Sequence, residues 1–178
     1  MNNAIIQLHL FKLHPDAQIP RYGTSMAACF DLHFAPCGRF SIQGYNNQND
    51  PIDAMVYAGV CDIHPGDRLL VPTGLVAKIV GTPDNIANYS IRIHARSGMS
   101  LKQGLVLANA EGVVDVDYQK EIFVMLTNIS NKTAQIRTGD RIAQAEIVKN
   151  VIASFFTVAD YPVAYSERDG GFGSTGHS

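Results

Sequence analysis

The sequence predicts an all-β fold, a sandwich or barrel, and three observations carry that expectation. Most of the chain alternates apolar and polar residues with a period near two. The alternating runs are short and rich in Val and Ile. Between them stand turn signals, namely Pro65-Gly66-Asp67, Pro72-Thr73-Gly74, Asn128 to Asn131 and Thr138-Gly139-Asp140. Short strands that follow one another without helical periodicity bury their apolar faces by packing sheet on sheet or by closing one sheet on itself.

In chain order, Ile6, Leu8 and Leu10 mark the first strand. From Cys37 to Val60, CGRFSIQGYNNQNDPIDAMVYAGV has weak periodicity and a polar Asn/Gln cluster, which reads as an inserted surface excursion between two strands. HPGDRLLV at 64–71 is a turn running into a strand, and RTGDRIAQ at 137–144 repeats that design without setting up a repeat period. Ser90, Arg92 and His94 alternate with Ile91 and Ile93. ARSGMSLKQG at 95–104 breaks the β pattern and predicts one short helix, with Ser97 as its cap and Gly104 as its left-handed end. GLVLANAEGVVDVDYQKEI at 104–122 reads as a Val-rich hairpin, two apolar strands about a turn near Ala110-Glu111-Gly112. Glu121 to Thr127 and Arg141 to Lys149 are the last strands. Beyond Phe156 the periodicity is lost, and 159–178 is expected to be an extended arm.

The chain has 178 residues, 46% hydrophobic and 17% charged, which fits a single globular domain over 1–178. No apolar run approaches the ~20 residues of a membrane span, so a soluble protein with no membrane partner is expected. The amino end lacks a basic leader with an apolar block, and Cys29, Cys37 and Cys61 form no C-x-x-C pair. An intracellular protein, cytoplasmic or nuclear (in the host cell if viral), is the expectation. A net charge of -2 argues against a binder of long nucleic acid, which draws on a basic field, and leaves room for a small phosphorylated ligand.

Three clusters carry candidate chemistry. Gly171 to Gly176, GFGSTG, spells G-x-G-x-x-G but has neither a strand before it nor a helix after it, so a dinucleotide fold is excluded. Arg168, a phosphate fork, and Phe172, a ring that stacks on a base, give this tail the composition of a lid; a disordered Gly/Ser end is the plain alternative. In ARSG, Ser97 and Gly98 open the short helix beside Arg96, an arrangement that suits an anion and equally suits ordinary helix capping. In the third cluster Asn109, Asp115, Asp117 and Tyr118 interrupt a Val-rich run. Asp115, between Val114 and Val116, is a candidate general base or else a turn-stabilising residue. On a straight strand Asp115 and Asp117 share a face and could pair on a metal, although nothing nearby completes a ligand set.

Read in order, these clusters resemble the motifs of the homotrimeric dUTPase family. The matching segments are GTSMAACFDL at 23–32, RSG at 96–98, the Asn109 to Lys120 segment with GVVDVDY, GDRIAQ at 139–144 and RDGGFGSTG at 168–176, with HPGDRLLVPTGL at 64–75 as a connecting segment. The resemblance implies a jelly-roll-like β-barrel subunit with one short helix, a carboxyl arm that crosses to a neighbour, and sites shared within a homotrimer. It implies hydrolysis of dUTP to dUMP and pyrophosphate by water attack at the α-phosphate, which limits uracil in DNA and supplies dUMP for thymidylate synthesis. Mg²⁺ would be held mainly by the substrate phosphates. By motif position the catalytic residues are Asp115, which deprotonates the water, with Gln144 and Arg168. Arg96, Ser97, Gly98, Gln144, Arg168, Ser174 and Thr175 would hold the phosphates, and Gly173 is among the substrate-binding residues. The amide of Asn109 and backbone groups near Leu107 to Gly112 would pair with the uracil edge, Tyr118 would pack under the deoxyribose and Phe172 would cover the base, with Val114 also among the substrate-binding residues. Asp31 would reach the metal through water or support the site.

The pattern departs from the family in three places: Arg168 is one residue closer to the following glycines than usual, Cys29 stands for a Gly, and Lys120 stands for a Gly. Two alternatives follow from the same residues. The dCTP deaminase branch of the superfold needs a glutamate where Met125 stands, and a dUTPase-like regulatory module would use 37–60 as its protein-partner surface.

Overall fold

The computed structural model of the chain describes residues 6–163 and 165. In chain order the elements are β1 (Gln7–Lys12), β2 (Phe30–His33), β3 (Ser41–Tyr45), β4 (Pro51–Tyr57), β5 (Val60–Ile63), β6 (Arg68–Val80), α1 (Pro83–Ile86), β7 (Tyr89–His94), α2 (Ser97–Gln103), β8 (Leu105–Leu107), β9 (Gly112–Asp115), β10 (Glu121–Asn128), β11 (Ala134–Arg137) and β12 (Arg141–Lys149). They form an eight-stranded antiparallel sheet, β11-β5-β4-β3-β6-β10-β8 with β1 also on β6, and a four-stranded sheet, β2-β12-β7-β9. The fold is the β architecture read from the alternation. The one-turn helix α1 is an addition to it.

The two sheets bury their facing residues in one cluster. Leu32, Ile91, Ile93 and Ile142 come from the smaller sheet, and Ile42, Leu69, Val71, Val124 and Leu126 from the larger. In β10 the alternation is plain: Ile122, Val124 and Leu126 point in, while Met125 is 40% exposed on the outer face. Each such aliphatic side chain removed from water contributes about 1.5–3 kcal/mol, so the in/out register is strongly fixed.

The turns named in the sequence use one device twice. His64 N donates to the Asp67 carboxylate at 3.2 Å, and Arg137 N donates to the Asp140 carboxylate at 2.8 Å. Gly66 and Gly139 sit at φ +82 and +88, a region that favours glycine at this point of a tight turn. This explains the likeness of HPGD and RTGD without a repeat.

Residues 37–60 differ from the irregular excursion that weak periodicity suggests. Most of the segment is a hairpin, with β3 and β4 paired from Ser41↔Met55 to Tyr45↔Pro51, and β3 joins β6 at Gly44↔Leu69 and Tyr45↔Arg68. Ile42 is buried, and Ile52, Ala54 and Val56 pack on the core. Two features mask the pattern. Gly44 interrupts β3 because a Cβ there would stand 2.3 Å from the Arg68 carbonyl oxygen. The Asn/Gln cluster is the hairpin tip, where Asn46 Oδ1 accepts from Gln48 N at 2.9 Å and Asp50 N at 2.8 Å.

A second difference concerns 104–122. β8 and β9 do not pair with each other: β8 pairs with β10 and β9 with β7, so the segment crosses from the larger sheet to the smaller. The turn at Ala110, φ +61, is a crossover rather than a hairpin loop, because each flanking strand finds a longer partner elsewhere.

Between β6 and β10 the register jumps from Glu121↔Val76 to Phe123↔Pro72, so β6 bulges over Thr73 to Leu75 where β10 has one residue. Thr73 Oγ donates to the Ile122 carbonyl at 2.6 Å, and Gly74 N donates to Glu121 Oε1 at 2.8 Å. Gly74 has φ +68, and a Cβ on it would meet Ala17 Cβ at 2.8 Å, so the bulge requires glycine. Residues 150–163 carry no helix or strand and leave Phe155, Phe156 and Tyr161 exposed. Among the described residues no helix is long and apolar enough to cross a membrane.

Candidate active site

Gln144 lies on β12 opposite Asp31 of β2 and His94 of β7, which places GDRIAQ beside GTSMAACFDL and beside the strand that leads into RSG. Its amide donates to the Ala95 carbonyl at 3.1 Å. Asp31 takes an arginine on each carboxylate oxygen, Arg96 Nε at 3.0 Å and Arg141 Nη1 at 3.3 Å. Arg96 Nη1 also donates to the Arg141 carbonyl at 3.1 Å. Arg96, Arg141 and Asp31 together carry one net positive charge, which suits an anion, with Glu146 beside them 3.1 Å from His94 Nε2. In this arrangement Asp31 orients the arginines directly. Arg141 sits inside GDRIAQ, and reading the sequence alone passes over it although its place beside the Gly-Asp turn marks it. Burial pushes His33, on β2 with Asp31, below the usual imidazole value, with Arg141 and Arg96 adding to the effect against Asp31.

α2 begins at the same point. Arg96, not Ser97, is the N-cap residue, with extended φ -92 and ψ 127, and no side chain caps the helix; Ser97 is already helical. Ser97 and Gly98 are exposed, and around Gly98 no atom lies within 4 Å of a notional Cβ, so the start of the helix is open. At the other end Gly104, φ +67, closes the helix as expected, its N–H bonded to the Met99 carbonyl. Buried Met99 anchors the helix to the core.

The third cluster lines a cavity of about 230 Å³ whose walls include Leu107, Asn109, Gly112, Val114, Tyr118 and Phe123. At Gly112 a Cβ would stand 3.0 Å from Ile93 Cβ, which explains the glycine by the close approach of β9 to β7. Val114 is 9% exposed and belongs to the core, so it serves as wall. The turn carrying Asn109 is tied down through Glu111, which meets Arg92 Nη1 at 3.0 Å and His94 Nδ1 at 3.7 Å. The polar face of Ser90, Arg92 and His94 is visible in the sequence; its partner across the turn is not. The Tyr118 hydroxyl donates to the Glu121 carbonyl at 2.9 Å.

Asp115 is exposed at the last position of β9, and Asp117 falls in the following turn, where Tyr118 N donates to the Asp115 carbonyl at 3.1 Å. The two aspartates therefore do not share a strand face, which removes the paired-metal arrangement. Among the described residues no three His, Cys, Asp or Glu side chains gather as a metal-ligand set. Asp115 stands opposite Ser90, whereas Arg96 follows six residues further along the chain. At about 3.3 Å per residue roughly 20 Å of extended backbone separates Ser90 from Arg96, so the Asp115 and Arg96 side chains of one chain do not meet. Arg168, Phe172, Gly173, Ser174 and Thr175 lie outside the described residues.

A sequence model of dUTPases matches residues 61–176. The chain belongs to the dUTPase family. The deoxyuridine 5'-triphosphate nucleotidohydrolase of Nautilia profundicola is 36% identical over 172 residues, covering 96% of this chain and 99% of that protein. Among solved structures, a mutant dUTPase of Staphylococcus bacteriophage 80alpha with dUpNHpp superposes with a TM-score of 0.70 at 18% identity, covering 96% of this chain and 98% of that one. A mutant dUTPase of phage phi11 of S. aureus, described for its structural Mg(II) ion, gives a TM-score of 0.65 at 17% identity over 88% of this chain and 99% of that one. At these identities the likeness speaks for the fold, which is the dUTPase jelly-roll-like barrel.

Proposed function

We infer that this chain hydrolyses dUTP to dUMP and pyrophosphate by attack of water at the α-phosphorus, in sites built from several copies of itself. The observation that carries this reading is the register that sets Asp115 opposite Ser90 while Arg96 follows six residues further on, about 20 Å of extended chain away. Two halves of one chemistry lie at opposite ends of β7, and a neighbour's second half completes each site. In a homotrimer the Arg96, Ser97, Gly98 and Gln144 group of one copy holds the triphosphate. Asn109, Gly112 and the backbone beside them read the uracil edge on a second copy. Tyr118 packs under the deoxyribose where a ribose hydroxyl would clash, and Asp115 beside it takes the proton of the attacking water. The arm of the third copy crosses to the same site, where Arg168, Ser174 and Thr175 contact phosphate, Gly173 lets the backbone close, and Phe172 covers the base.

Mg²⁺ fits this site as a passenger of the triphosphate, since phosphate oxygens and water supply its hard oxygen ligands without a carboxylate set. When bound it neutralises phosphate charge and polarises the phosphoryl oxygens. Arg96 and Arg141 offset the charge that remains. An intracellular location agrees with Cys29, Cys37 and Cys61, all free thiols. The deaminase reading is not favoured, because Met125 stands where that branch has its glutamate.

The test is pyrophosphate release from dUTP, dTTP, dCTP and UTP with Mg²⁺, repeated with EDTA. Selective dUTP turnover is expected, with dCTP disfavoured by about 10⁴ to 10⁵ because it inverts the hydrogen-bond pattern, and a large loss of turnover in EDTA. Absence of selective dUTP turnover sinks the reading, and ammonia released from dCTP would replace it with deamination.

A further inference from the structure

The 37–60 segment reaches the walls of the cavity through one buried carboxylate. Glu121 is 7% exposed and sits at the β6 bulge. Besides the Gly74 N–H, its carboxylate takes Arg39 Nη2 on Oε2 at 2.5 Å and Nη1 on Oε1 at 3.5 Å. Its carbonyl takes the Tyr118 hydroxyl at 2.9 Å. The Arg39 guanidinium carbon also lies 5.8 Å from the centre of the Phe123 ring, close enough for a cation–π contact. Tyr118 and Phe123 both line the cavity. Arg39 is itself held in place: its backbone N–H donates to the Pro36 carbonyl at 3.0 Å and its Nη1 to the same oxygen at 3.2 Å.

We propose that Arg39 is a positioning residue for the choice of deoxyribose over ribose, acting on Tyr118 through Glu121 and on the cavity wall through Phe123. A carboxylate this buried needs a countercharge. Without Arg39 it keeps the Gly74 N–H alone, so it must turn toward water or take up a proton. Either change moves the backbone carbonyl that holds the Tyr118 hydroxyl. A steric test for one ribose oxygen works only while the ring that applies it is fixed. The 37–60 segment is thereby coupled to substrate choice, not only to the surface. The proposal rests on dUTP hydrolysis and on Tyr118 as the neighbour of the sugar.

The experiment compares kcat/KM for dUTP and UTP in the wild type, Arg39→Ala, Arg39→Lys, Tyr118→Ala and the double variant Arg39→Ala with Glu121→Gln. Arg39→Ala is expected to lower the dUTP/UTP ratio about tenfold, mainly through a gain with UTP. Arg39→Lys, which keeps the charge and loses the fork, should recover part of the ratio. The double variant should recover most of it, because the neutral amide that replaces the carboxylate still accepts from the Gly74 N–H and needs no countercharge. If Arg39→Ala folds poorly, Arg39→Lys carries the comparison, with a ratio below those of the wild type and the double variant expected and a ratio between the two excluded. A ratio unmoved in Arg39→Ala, or unmoved in Arg39→Lys where the Ala variant does not fold, or a parallel loss with both substrates, overturns the proposal and leaves Arg39 a purely structural partner. A ratio unmoved in Tyr118→Ala removes the sugar contact and the proposal with it. A wild type that does not prefer dUTP fails at the earlier step, the inferred reaction itself, and the proposal falls with that reaction.

Discussion

Asp115→Asn should bind dUTP about as well as the wild type and turn it over about 10² to 10⁴ times more slowly. The substitution preserves shape and removes the proton acceptor. It should be quiet structurally: Asp115 is exposed at the end of β9, held by the backbone register opposite Ser90, and exposed exchanges of this kind usually lie within about 0.5 kcal/mol. Titration with a non-hydrolysable imido analogue measures the binding, and pyrophosphate release in a single turnover measures the chemistry. Unchanged turnover would remove Asp115 as the base and return it to its bland role, an aspartate closing the 115–118 turn.

Arg96→Gln should lower kcat/KM by about 10² to 10³, the range seen when one preorganised donor to a developing anion is removed. Unlike Asp115, Arg96 is woven into the fold. It holds one oxygen of Asp31 and the Arg141 carbonyl. Its loss leaves Asp31 with Arg141 alone, so a drop in stability of about 1–3 kcal/mol should accompany the kinetic loss. Steady-state kinetics together with a denaturation curve separates the two effects. If the kinetic loss vanishes once the fraction folded is taken into account, Arg96 supports the fold and does not hold the phosphates.

The strands were legible in the sequence because one-sided burial writes itself as alternation, as in Ile122, Val124 and Leu126 of β10. Gly104 was legible because a left-handed helix end favours glycine. The β3–β4 hairpin was hidden by Gly44, where close approach of two backbones removes the side chain that would have kept the period, and by a polar tip that resembles a loop. The crossover at Ala110 reads locally as a hairpin because pairing partners are chosen by tertiary packing, and no local signal says that β8 belongs with β10. For the site, motif order named Arg96, Gln144, Asp115 and Tyr118. The Arg39–Glu121 pair left no local trace, since its partners stand 82 residues apart and a lone Arg beside a turn reads as surface. Arg141 shows the opposite failure, a residue inside a quoted motif whose role is visible only when Asp31 arrives beside it.

The shared site can be tested with the two variants just described. Asp115→Asn and Arg96→Gln, each purified and nearly inactive, are unfolded together in equal amounts and refolded. If each site takes Arg96 from one copy and Asp115 from another, random mixing leaves roughly one quarter of the sites with both groups intact. About that fraction of wild-type dUTP turnover should return. Refolding each variant alone should return none. A mixture that refolds into the same assembly and stays as inactive as its parts would place Asp115 and Arg96 in one chain's own site, contrary to their positions at opposite ends of β7.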